Sequence, residues 1–114
     1  MANEFKLITK AGVTSSDVIY TVASGKTAVV LGLTVGNTTS SQTTATVTIN
    51  TTTSNMSGAN NEANQPVEII TGAAIPAGSS LSVLDGKVVL AAADEIIVIG
   101  SGATDVIISV MEIS

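Results

Sequence analysis

An all-β fold, an antiparallel β-sandwich or jelly roll of about eight or nine short strands, is what three features of the sequence predict. Apolar residues alternate with polar ones or run in short β-branched blocks. Clusters of Gly, Ser, Asn and Asp separate the blocks, and no stretch repeats its apolar residues at helical spacing. At 114 residues the chain has the length of one domain, so residues 1–114 are expected to form a single β-sandwich whose core needs neither disulfides nor a metal.

In chain order the expected strands are 4–9, 17–22, 27–37, 43–50, 67–71, 80–84, 87–91, 95–101 and 105–113. The cleanest is 43–50, where Ala45, Val47 and Ile49 share one face and Thr44, Thr46 and Thr48 the other. Ser24-Gly25 and Asp85-Gly86 lie between apolar strands and predict hairpin turns. Pro76-Ala77-Gly78 predicts a further reversal and excludes a central strand at that point. Residues 51–65 are polar and carry one charge, which predicts a long loop, either solvated or reaching to a neighbour.

The last two strands differ from the rest. EIIVIG and DVIISVMEI are apolar on both faces, with Val106, Ile108 and Val110 on one side of the final strand and Ile107, Met111 and Ile113 on the other. A sandwich partner covers one face only, so the other needs a cover: a long loop, the N-terminal segment or another subunit. Ile107, Met111 and Ile113 are therefore the candidate subunit interface. The most buried positions are expected to include Val29, Leu31, Leu33, Val47, Ile49, Ile97, Ile99, Ile108 and Val110.

Composition narrows the function. Only 11% of residues are charged against 45% hydrophobic, with mean hydropathy +0.53, so the surface is rich in Ser, Thr, Asn and Gly or faces other subunits. Four lysines, no arginine and nine acids give a net charge of −5, and the aromatics are Phe5 and Tyr20 alone. Nucleic acid is not expected as a partner, because phosphate binding needs clustered cations and single strands need stacking rings. The same lack of rings argues against a sugar platform. No apolar run reaches membrane-spanning length, and MANEFKLITK has no signal-like apolar region, so the expectation is a soluble, unsecreted protein made in a cytoplasm.

The chemistry-bearing motifs are weak, and neither an enzyme nor a cofactor is expected. Ser24-Gly25-Lys26-Thr27 matches the end of a phosphate-binding loop, but Tyr20 occupies the place of its first glycine and a strand-like run follows instead of a helix. Asp94 and Glu95 are adjacent, and on a strand they point apart. There is no histidine or cysteine for zinc, and a calcium site built from Asn60, Asn61, Glu62 and Asn64 would have a single acid. The sequons at Asn37, Asn50 and Asn55 are read as products of a Thr-rich composition. The Thr44, Thr46, Thr48 ladder resembles an ice-binding array, though without the repeated coils that generate one, and a small ligand- or ice-binding module is the alternative of another class.

One resemblance covers most of the chain. The run Val18-Ile19-Tyr20-Thr21-Val22-Ala23-Ser24-Gly25-Lys26-Thr27-Ala28-Val29-Val30-Leu31-Gly32-Leu33 with Asn37-Thr38-Thr39, then Ile75-Pro76-Ala77-Gly78, Leu84-Asp85-Gly86-Lys87-Val88-Val89-Leu90 and the closing Glu112-Ile113-Ser114, resembles small β-sandwich virion proteins of tailed bacteriophages, of the marine cyanophage type. It departs from them at Ala23, where proline is common. The resemblance implies a multi-copy structural protein of the virion, made in the host cytoplasm. A capsid decoration (cement) protein bound to the major capsid protein is the first expectation, and a tail, baseplate or fibre-attachment subunit the second. It also implies a homo-oligomer, with a trimer favoured.

Overall fold

Strands form where the β-branched blocks lie, and the turns fall at the clusters between them. The computed structural model describes residues 2–51 and 66–114. Among these the strands are β1 (Asn3–Val13), β2 (Ser16–Thr21), β3 (Thr27–Asn37), β4 (Thr43–Asn50), β5 (Pro66–Ile75), β6 (Ser80–Ser82), β7 (Val88–Leu90), β8 (Glu95–Gly100) and β9 (Thr104–Ile113). Apart from Thr51, the expected loop over 51–65 lies outside the described residues.

Two antiparallel sheets result. One runs β1-β9-β3-β6, with β7 also paired to β3, and the other runs β2-β8-β4-β5. β6 and β7 lie at opposite ends of β3 and together serve as one edge strand. Strands from the two ends of the chain interleave: β9 sits between β1 and β3, and β8 between β2 and β4. This is the order of a jelly roll.

That order corrects the two expected hairpins. Gly25 does take a positive φ of 78°, and the Lys26 N–H donates to the Ala23 carbonyl at 3.2 Å, but the turn carries the chain from one sheet to the other. Around Asp85-Gly86 the flanking strands both pair with β3 and not with each other. The reversal at Pro76-Ala77-Gly78 is present, with the Ser79 N–H donating to the Pro76 carbonyl at 3.1 Å and Gly78 at φ 68°. A Gly-containing turn fixes a change of direction, whereas the destination sheet is set by which face of the next strand must be buried.

The core lies between the sheets, built on one side by Ala28, Val30, Leu33, Val35, Val106, Ile108 and Val110 and on the other by Ala45, Val47, Ile96 and Val98, all at 0–1% exposure. Of the nine positions expected there, Leu33, Val47, Ile108 and Val110 are buried and Ile49, Val29 and Ile97 are half-buried. Leu31 and Ile99 are 38% and 40% exposed. The error in β3 has one cause, an extra residue. Val30 pairs with Val110 and Gly32 with Ser109, so β3 advances two residues while β9 advances one, and the inward set steps from Val30 to Leu33. In β8 both phases are apolar, and the structure turns Ile96 and Val98 inward.

Candidate functional site

The final strand has the two apolar faces its sequence indicates. Val106, Ile108 and Val110 are in the core, while Ile107 is 48% exposed and Met111 and Ile113 are half-buried on the outer face. Directly opposed residues in an antiparallel pair project to the same side, so the register maps this face. Phe5, Met111, Val29 and Val89 form one row across β1, β9, β3 and β7. Leu7 and Ser109 lie in the next row, and Thr9, Ile107 and Thr34 in the one after it. Ile113, between Asn3 and Thr27, closes the other end.

Phe5, Leu7 and Val89 are 75%, 68% and 66% exposed. The face is therefore larger than the three β9 residues the sequence singles out. The N-terminal segment, one of the expected covers, lies beside β9 as a strand and extends the apolar surface. Phe5 and Leu7 were hidden in the sequence by a reversal of the usual pattern. On β1 it is Glu4, Lys6 and Lys10 that share the inward side with Ile8, opposite the buried Glu112, Val110, Ile108 and Val106.

Those inward charges are held at the seam where β1 passes β2. Lys6 Nζ lies 2.9 Å from Glu112 Oε1, Lys10 Nζ 3.6 Å from Asp17, and Lys26 Nζ 3.5 Å from Glu4. Glu112 is 5% exposed, and its Oε2 accepts a 2.6 Å hydrogen bond from the Tyr20 hydroxyl, which reaches across from the other sheet. That bond, with Lys6 beside it, holds the Glu112 carboxyl below its usual range. Burial and the same carboxylate push the Tyr20 phenol well above its ordinary value, and the Glu112 carboxylate raises the Lys6 ammonium. A single sign of this cluster is visible in the sequence, an acid on the inward phase of an apolar strand.

The motif look-alikes take structural roles. Thr27 opens β3, a strand, so Ser24-Gly25-Lys26-Thr27 lacks the helix N-terminus that would cradle a phosphate. Asp94 lies in a turn before β8, 3% exposed, and its Oδ2 accepts from the Ala91 N–H at 2.9 Å; Glu95, half-buried, accepts from Asn50 Nδ2 at 3.4 Å. The sequon residue Asn37 is 3% exposed, and its Nδ2 donates to the carbonyls of Ser41 and Ile75 at 2.8 and 2.9 Å. Thr44 and Thr46 are half-buried and Thr48 is 5% exposed, so the ladder is not an open array. Asn60, Asn61, Glu62 and Asn64 lie outside the described residues.

No family model and no curated protein matches the chain. Among solved structures it is similar to a protein of Bacillus endospore appendages, described as forming a novel family of disulfide-linked pili. The TM-score is 0.52 at 13% sequence identity, over 99% of this chain and 87% of that one. This likeness concerns the fold, and it agrees with the two-sheet architecture. These 114 residues contain no cysteine from which a disulfide link could be made.

Proposed function

We propose that the chain is a non-enzymatic structural subunit carried in many copies on a larger assembly, and that the assembly is the virion of a tailed bacteriophage, with capsid decoration as its role there. The observation that carries the structural reading is the outer face of the β1-β9-β3 sheet, apolar across four strands and open to solvent at Phe5, Leu7, Val89 and Ile107. Monomeric proteins seldom leave so large an apolar surface uncovered. The virion setting rests on the sequence resemblance. The similar fold of a pilus protein is compatible with a repeated structural role and does not bear on the setting. An ice-binding role is disfavoured by the burial of Thr48, which breaks the threonine array.

The test is immunogold labelling, with antibodies to the purified chain, of particles recovered from cells that express it, together with quantitative mass spectrometry of those particles. Dense regular labelling and a high copy number per particle are expected. Particles free of the chain would overturn the proposal, and labelling confined to the tail would move its location from the head.

A further inference from the structure

We infer that the outer face of the β1-β9-β3 sheet is the contact surface for a second copy of this chain, packed face to face across a two-fold axis. The inference rests on the reading of the chain as a repeated subunit and names the partner and the mode of contact.

Edges are poor routes to assembly in this fold, because each edge strand carries a feature that discourages pairing. β1 turns Glu4, Lys6 and Lys10 to its inward side. β2 has an extra residue between Val18 and Tyr20. β5 begins with Pro66, has two register shifts against β4 and holds Gly72 at φ 56°. β6 and β7 are three residues each. Faces remain.

Of the two outer faces, that of the β2-β8-β4-β5 sheet mixes Val18, Ile97 and Ile99 with Thr46, Thr48 and the charged Glu68. The other has no charged residue in any row from Asn3-Ile113-Thr27 to Thr9-Ile107-Thr34, and Asp105 stands beyond its end, opposite Gly36. The chain carries a net charge of −5, so most surfaces of one copy repel those of another. Rows without charge escape that repulsion and bury no unpaired ion when they meet their copies, and the exposed Lys87 lies just before β7, two residues ahead of Val89. Phe5, Leu7, Val89 and Ile107 are exposed on the face with the half-buried Val29, Met111 and Ile113 between them, so a second copy laid face to face covers one connected apolar surface. A patch that meets the same patch closes as a pair. A cyclic trimer would need two different patches.

Sedimentation velocity over a concentration series, on the wild type and on Phe5→Asp, Leu7→Asp and Val18→Asp, tests this. Circular dichroism checks each fold, and Val89→Lys stands in for any face variant that fails to fold. The wild type should associate reversibly as dimers, the face variants should weaken association by at least about a hundredfold with folding retained, and Val18→Asp should match the wild type. Dissociation by Val18→Asp alone would overturn the inference and leave the repeated-subunit reading intact. A wild type that stays monomeric at millimolar concentration would also overturn it; if the particles still label densely, the face belongs to a different protein, and if they do not, both readings fall.

Discussion

Glu112 closes the apolar final strand with a carboxylate that only its two partners make tolerable. A buried carboxylate is costly in isolation, and the Tyr20 hydroxyl and the Lys6 ammonium offset that cost from two directions. The consequences for pH follow from the directions of the shifts. Glu112 is lowered, so its contribution is present above its unfolded value near 4.5 and is lost as pH falls through its folded value. Tyr20 and Lys6 are raised, so their contributions are complete below their unfolded values near 10.0 and 10.5 and are lost as pH rises through the folded ones. Because Tyr20 is the single tyrosine and there is no tryptophan, an absorbance titration reads it directly. The phenol should resist ionisation above its ordinary pH until the fold opens, so the tyrosinate signal and the loss of β structure should coincide. Tyrosinate forming near pH 10 in a folded protein would contradict the cluster. Tyr20→Phe leaves Glu112 Oε2 without its donor and should destabilise by about 1.5–3 kcal/mol, measured by urea unfolding near neutral pH.

Strands were legible because β-branched blocks and turn clusters mark where they begin and end, and all nine expected strands overlap those observed. Which way each strand faces was less legible, for reasons visible in particular residues. An extra residue at Leu31 breaks the alternation of β3, the two phases of β8 are equally apolar, and β1 turns its charges inward. This yields a paired test by thermal unfolding. Leu33→Ala, at a position 1% exposed, should cost about 2–5 kcal/mol, and Leu31→Ala, 38% exposed, clearly less. Equal losses would mean that β3 is regular. The ends of the elements are held by polar residues whose work the sequence does not show. Asn37 donates to Ser41 and Ile75, while its Oδ1 accepts from the Thr39 N–H at 2.9 Å. Asn37→Asp keeps the shape but sets a carboxylate against those carbonyls, and should cost about 2–3 kcal/mol. A neutral result would show that the loop ends are held some other way.

At the scale of the molecule, the jelly roll assigns the chain's apolar excess to two destinations. One set of side chains fills the space between the sheets, and the other lies on the outer face of the β1-β9-β3 sheet. The three β9 residues of that face were legible because a strand apolar on both sides cannot be served by one partner sheet. Phe5, Leu7 and Val89 were not, since only the strand order brings β1 and β7 into line with β9 and β3. The absence of cysteine allows the most direct test of whether copies meet through this face. A single Thr9→Cys, at an exposed position on the apolar face, and a single Ser16→Cys, at an exposed position on the opposite face, are alkylated with a maleimide across a dilution series. Face-to-face contact requires that the cysteine at 9 be protected at high concentration and become reactive on dilution, while the cysteine at 16 reacts freely throughout. Equal, concentration-independent reactivity at both positions would contradict it.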